Sequence, residues 1–122
     1  MIKKLTPVLI VDAIEPVLPF WSALGFTTAT SVPHGDAIGF VILVRDGVEV
    51  MYQSRASVAE DNAAALEGSG RTALFFEVSD LEEIMRALSG PFLADRRKTF
   101  YGSTETILRD PAGNVITFAQ FQ

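Results

Sequence analysis

The chain has 122 residues, 48% of them hydrophobic, with a formal net charge of −5 and no cysteine. This size and composition predict a single domain with one buried core. The lack of cysteine excludes disulfides, thiolate nucleophiles and Cys-ligated zinc. Because the chain is acidic and its basic residues are scattered apart from the run at 96–98, we expect no nucleic acid partner. No apolar run approaches the roughly 18 to 20 residues of a membrane span, so we expect a soluble, cytoplasmic protein with no membrane partner.

The first half of the chain is predicted to form a strand, a helix and then three strands. The helix begins near Ala13 to Pro16, where proline is tolerated in the first turn, and it ends at Gly25. His34, the only histidine, falls in a Pro-His-Gly-Asp turn at 33–36 and is expected to be solvated rather than a metal ligand or base. The strands are predicted at 5–11, 26–32, 37–44 and 48–54.

The middle of the chain, residues 55–70, is rich in Ala, Ser and Gly, which indicates a connector with one short helix around 62–66. In the second half, a helix begins at a capping box with Ser-x-x-Glu spacing, formed by Ser79 and Glu82. Its apolar residues recur at helical spacing for about three turns, until Gly90. The strands of this half are predicted at 72–78, 92–98, 103–109 and 115–121.

The two halves repeat each other. Residues 6–15, TPVLIVDAIE, align with 73–82, ALFFEVSDLE. Residues 43–53 align with 107–119 once two inserted residues are allowed in the second copy. Duplicated modules tend to place a ligand site between or within their copies. The single domain is therefore predicted to contain two modules and a connector, at 1–54, 71–122 and 55–70.

Two stretches carry a family resemblance, IVDAIEPVLPFWSALGF near the start and YGSTETILRDPAGNVITFAQ near the end. They resemble the vicinal oxygen chelate superfamily of glyoxalases, extradiol dioxygenases and bleomycin-resistance-type proteins, and they are most similar to the last group. The resemblance implies an α+β fold in which two tandem βαβββ modules form a curved mixed sheet around a cavity. A homodimer often completes that cavity. One fold hosts many chemistries, so the function needs its own evidence.

The same resemblance implies where a metal would be held. Family enzymes typically bind one divalent ion through a residue near the start of each module's first strand and another on its last strand. None of the corresponding residues is His, Asp or Glu, and hard divalent ions need carboxylate, carbonyl or imidazole donors. We therefore expect no metal and no cofactor. The four positions, which are predicted to lie on the concave face, are Thr6, Met51, Ala73 and Thr117.

Three glutamates are the candidate catalytic residues. Strand alternation places Glu49 on the face of Met51 and Glu77 on the face of Ala73, while the opposite faces are apolar and predicted to lie under the helices. Either carboxylate would act as an acid or base if burial raised its pKa. Glu105 either binds a ligand amine or fixes its strand by pairing with Arg109 or a Tyr hydroxyl.

Aromatic residues supply candidate stacking surfaces. Trp21 is predicted to be core, whereas strand and loop aromatics are available to a flat ligand; they are Phe40, Tyr52, Phe100 and Tyr101. No phosphate loop, serine elbow or dinucleotide fingerprint appears. The predicted ligand-binding residues are Thr6, Phe40, Met51, Ala73, Tyr101, Glu105 and Thr117.

Two functions fit these features. The first is a metal-free binding protein that sequesters a small, partly aromatic ligand or drug, and so gives antibiotic resistance. The second is an enzyme, a glyoxalase-like lyase or isomerase or a dioxygenase relative, with an atypical metal site or metal-free acid–base chemistry. The absent metal ligands, the acidity and the aromatic residues favour binding.

Overall fold

The computed structural model describes residues 1–122, which form two compact units, Met1–Gly70 and Arg71–Gln122. Residues 55–70, predicted as a connector, belong to the first unit. Each unit is built on its own four-stranded mixed sheet. None of the helices combines the length and apolar character that a bilayer crossing requires.

The first unit contains the predicted strand, helix and three further strands, and it adds a second helix. In its sheet the order is β1-β4-β3-β2, with β1 parallel to β4 and the other pairs antiparallel. The main elements are β1 (Val8–Val11), α1 (Leu18–Ala23), β2 (Thr27–His34), β3 (Ala37–Arg45), β4 (Val48–Ser54) and α2 (Arg55–Asn62).

Two prolines determine how the first helix begins. Pro16 lies in a separate 3-10 turn at Glu15–Val17, and Pro19 lies in the first turn of α1. Neither position needs a backbone N–H donor, so both prolines are accommodated. Trp21 is fully buried, as predicted, and its indole N–H donates to the Tyr52 hydroxyl at 2.8 Å. Tyr52 is therefore a core residue and not a stacking surface for a ligand.

The loops of the first unit are tighter than the sequence predicts. Strand β2 extends to His34, so the turn contains only Gly35 and Asp36. His34, predicted to be solvated, is partly exposed, at 31% of its side chain, and its Nδ1 lies 3.4 Å from Glu60 Oε2 on α2. A short 3-10 helix at Ala63–Leu66 matches the helix predicted around 62–66. Helix α2, which precedes it, was not predicted; the Ser54 side chain accepts the backbone N–H of Ser57 and caps it.

The second unit repeats the order strand, helix and three strands. Its sheet has the order β5-β8-β7-β6, with β5 parallel to β8, so its topology matches that of the first sheet. This confirms the predicted α+β fold of two βαβββ modules. The elements are β5 (Ala73–Glu77), α3 (Leu81–Met85), β6 (Phe92–Lys98), β7 (Ser103–Arg109) and β8 (Val115–Phe121).

The cap of α3 differs from the predicted capping box. Asp80, not Ser79, is the N-cap, and its Oδ1 accepts the backbone N–H groups of Glu82 and Glu83 at 3.1 and 3.3 Å. The helix is also shorter than the three turns predicted, since the N–H of Leu88 bonds to the carbonyl of Met85 in a tighter turn.

The turn between β7 and β8 is held by its own side chains. Asp110 Oδ1 accepts the backbone N–H groups of Ala112 and Asn114 at 3.0 and 2.8 Å. Asn114 Oδ1 accepts the N–H of Thr72 at 2.7 Å, which ties the turn to the start of β5. The turn is structural, as its sequence predicts.

Candidate functional site

Each sheet has one face covered by a helix. The opposite face carries no helix, and we call it the open face of that sheet. In the first unit Trp21 of α1 bonds to Tyr52, so the face carrying Tyr52 is the covered one. In the second unit Gln120 accepts the N–H of Leu81 on α3, which identifies the covered face of that sheet. Strand alternation then defines the first open face as Val8, Ile10, Phe40, Ile42, Glu49, Met51 and Gln53. The second open face is Ala73, Phe75, Glu77, Arg97, Glu105, Ile107, Thr117, Ala119 and Phe121.

On the first open face, Met51 and Glu49 lie side by side as predicted. Met51 pairs with Val8 of β1, and its N–H bonds to the carbonyl of Pro7 at 3.0 Å, so Thr6 immediately precedes this contact. The Glu49 carboxylate is held by Lys4 Nζ at 2.6 Å. Glu49 is therefore half of an ion pair rather than a free acid or base.

On the second open face, Ala73 begins β5 and Thr117 lies in β8 opposite Phe75. Thr117 is buried, whereas the side chain of Ala73 is exposed. Glu77 lies on the same face as Ala73, as predicted, at the exposed end of β5.

The residues at the four implied metal positions do not fit a divalent ion. They offer a thioether, a methyl group and two hydroxyls, and these cannot replace carboxylate or imidazole donors. No group of three His, Asp or Glu side chains lies close enough together elsewhere to hold a metal.

Glu105 sits at the centre of a polar cluster on the second open face. It is only 1% exposed. Its Oε1 accepts from Arg97 Nη2 at 3.0 Å, and its Oε2 accepts from Ser103 Oγ at 2.9 Å and from the Tyr101 hydroxyl. The side chain thus has three partners within the chain, and one of them is the Tyr hydroxyl that the sequence suggested.

The cationic partner of Glu105 is not the predicted one. Arg109 donates to the carbonyl of Gly113 at 2.9 Å, and Arg97 of β6 takes the place beside Glu105. Arg97 was not among the residues predicted from the sequence. The register of β6 against β7 would have placed Arg97 opposite Glu105. The pairing is irregular between Ala94 and Arg97, so this register could not be read from the sequence.

The charge state of Glu105 follows from these contacts. Desolvation by burial opposes ionisation, but the hydrogen bonds from Tyr101, Arg97 and Ser103 outweigh it and lower the pKa of Glu105 below its ordinary value. The same pairing raises the pKa of Arg97. At neutral pH the two side chains therefore form a charged, mutually neutralising pair.

Three rings form a row on the second open face, which we call the aromatic row: Phe75, Phe121 and Tyr101. The ring centroids of Phe75 and Phe121 lie 6.4 Å apart, and those of Phe121 and Tyr101 lie 6.3 Å apart. All three are exposed, by 56%, 42% and 45% respectively. Phe100 packs edge-on against Tyr101. The predicted stacking residue Phe40 belongs to the other unit, on the first open face. Phe75 and Phe121 were not predicted as site residues, although strand alternation places Phe75 on the same face as Glu77.

A groove of about 690 Å³ runs between α1 and β2 of the first unit. The Glu15 carboxylate at its edge already accepts the N–H of Ile38 at 2.7 Å. None of the predicted ligand-binding residues lines this groove; its lining is Glu15, Leu18, Pro19, Ser22, Phe26, Thr27, Thr28 and Leu43.

The same fold occurs in known structures of low sequence identity. A bleomycin-binding protein complexed with bleomycin is 18% identical, with 99% of this chain and 100% of that one aligned at a TM-score of 0.68. A glyoxalase/bleomycin resistance protein/dioxygenase from Nocardioides is 20% identical over 99% of this chain and 85% of its own, at a TM-score of 0.73. The chain has the fold of the vicinal oxygen chelate superfamily.

This fold also includes an enzyme, lactoylglutathione lyase from Agrobacterium tumefaciens, which is 16% identical over 98% of both chains at a TM-score of 0.73. No family model matches the chain, and no curated protein matches it in sequence. The superfamily resemblance predicted from the sequence is thus confirmed at the level of the fold, which hosts both binding proteins and enzymes.

Proposed function

We propose that the chain is a small-molecule-binding protein that sequesters a partly aromatic ligand or drug without a metal. The observation that carries this proposal is the aromatic row, which is exposed on the same open face as Ala73 and Thr117. These two positions hold metal ligands in the enzymes that the sequence resembles. Exposed rings beside a small number of polar side chains, here Glu77 and the Glu105 cluster, suit recognition by shape and stacking with a few polar contacts.

Each unit carries its own set of the proposed ligand-binding residues. In the first unit they are Thr6, Phe40 and Met51. In the second unit they are Ala73, Thr117 and Tyr101, with Glu105 contributing through the hydrogen bond that fixes Tyr101.

The state of two of the three candidate acids supports binding over catalysis. A general base needs an available lone pair and a pKa near the working pH. Glu105 is buried, its two oxygens are occupied by three donors, and its pKa is lowered. Glu49 is paired with Lys4. Neither arrangement favours the acid–base chemistry of the enzyme alternative.

The likeness to a bleomycin-binding protein supports drug sequestration, and hence antibiotic resistance, as the biological role. We propose that the protein acts in the cytoplasm. Titration calorimetry of flat neutral and cationic compounds against metal-free protein tests the proposal. At least one compound is expected to bind and to lose affinity in Tyr101→Ala; a panel without any binder would contradict it.

We also propose a homodimer. Strands β1, β2, β5 and β6 are edge strands, and exposed apolar side chains such as Val8 and Phe75 lie on β1 and β5. A two-fold partner would cover such edges and apolar groups. Sedimentation should show a dimer at micromolar concentration, and a monomer there would refute the proposal.

A further inference from the structure

Of the three glutamates on the two open faces, Glu77 is the one whose carboxylate has no partner within the chain. Glu49 is bound by Lys4, and Glu105 is bound by Arg97. The Glu77 side chain is exposed at the end of edge strand β5 and makes no hydrogen bond or ion pair within the chain. Its negative charge is therefore available to a ligand.

Sheet geometry places this carboxylate beside the aromatic row. Glu77 pairs with Ala119, and Ala119 pairs with Glu105, so the three form one cross-strand row. Phe75 lies in the cross-strand pairing before this one, and Phe121 lies in the pairing after it. The backbones of these two pairings are separated by about 13 Å along the strands. Their ring centroids are nevertheless only 6.4 Å apart, so the two side chains lean towards each other over Ala119.

The small side chain of Ala119 makes this approach possible. Ala119 is 0% exposed, as expected for a methyl group lying beneath other side chains. The rings of Phe75 and Phe121 are tilted by 53° and do not stack flat on each other. Ring surface therefore remains exposed next to the Glu77 carboxylate.

We propose that Glu77 and the aromatic row form a subsite for an organic ammonium group. Ring faces attract cations, and an alkylated ammonium also offers apolar surface to the rings. One carboxylate supplies the opposite charge but too few oxygens for a bare metal ion. The acidic chain, with net charge −5, adds a favourable long-range field. This inference rests on the proposed function and names the chemical class of the ligand.

Within this subsite Glu105 is a positioning residue. Its charge is neutralised by Arg97, and its hydrogen bond holds the Tyr101 hydroxyl, which places the ring 6.3 Å from Phe121. The attraction for a cation therefore comes from Glu77 and the ring faces, not from Glu105.

The test uses choline and its neutral carbon isostere, in which a tert-butyl group replaces trimethylammonium. Each is titrated into the full nitrogen-labelled chain and followed by amide chemical shifts. We expect choline to shift the amides of Glu77, Ala119 and Phe121 and to bind about fivefold more tightly than the isostere. Glu77→Gln and Phe75→Leu should each weaken choline about threefold to fivefold and leave the isostere unaffected.

Glu67→Gln is the matched control, because Glu67 is an exposed glutamate outside both open faces. It removes the same charge and should leave choline affinity unchanged. Equal affinity for choline and the isostere, or equal loss in Glu67→Gln and Glu77→Gln, would overturn the subsite. If neutral flat compounds bind but choline does not, the subsite is wrong and the proposed function stands. If choline binds through Glu77 but no flat compound binds, the proposed function is wrong and the subsite stands.

Discussion

At the residue scale, Glu105 serves the fold and the candidate site together. A buried carboxylate is costly unless its oxygens are bonded, and here three donors bond them. The donors come from β6, from the turn before β7 and from β7 itself. One side chain thus fixes both an edge strand and the ring of Tyr101.

The lowered pKa of Glu105 predicts how stability depends on pH. A carboxylate with a depressed folded-state pKa adds stability above its ordinary value of 4.5, and this stability is lost as pH falls through the folded-state pKa. Glu105→Gln should therefore cost about 1 to 3 kcal/mol of unfolding free energy at neutral pH. Urea unfolding of both proteins from neutral pH to about pH 3 should show this difference shrinking in acid. A difference that stays constant across that range would contradict the assignment.

At the scale of elements, the cap of α3 separates two interpretations of one sequence motif. The structure makes Asp80 the N-cap, whereas the Ser-x-x-Glu spacing indicates Ser79. Asp80→Ala should lower the unfolding free energy by about 1 kcal/mol, because two backbone N–H groups lose their acceptor. Ser79→Ala is the control and should change it by less than about 0.5 kcal/mol. If thermal unfolding shows that Ser79→Ala is less stable than Asp80→Ala, Ser79 is the N-cap and the capping-box interpretation is correct.

The strands were predictable because alternation of apolar residues is a local signal. It placed Glu49 with Met51 and Glu77 with Ala73 correctly. The contact between Arg97 and Glu105 was not predictable, because it depends on register across an irregular stretch of β6. The start of α1 was shifted by two prolines. The short helix predicted around 62–66 is present as a 3-10 helix, but the prediction missed α2 before it, whose cap Ser54 is also the last residue of β4. The helix boundaries and the side-chain partners in the site depend on caps and non-local contacts, which local periodicity does not reveal.

At the scale of the whole molecule, the duplication preserves topology while the two copies differ in chemistry. Both sheets have the same strand order and the same parallel pair. The first open face carries mainly aliphatic side chains and the Lys4–Glu49 pair, whereas the second carries the aromatic row and the Glu105 cluster. Neither copy has kept a residue suited to a divalent ion at the implied positions. The second copy is therefore the better candidate for recognition of a flat or cationic ligand.

The most direct measurement is the affinity of the tightest compound from the calorimetric panel, before and after chelation of divalent metals. Each sample is then checked by mass spectrometry for conversion of the compound. We predict the same dissociation constant in both samples and recovery of the compound unchanged, since none of the residues at the implied metal positions suits a divalent ion. Binding that appears only when a divalent ion is added back, or conversion of the compound to a product, would contradict a metal-free sequestering protein.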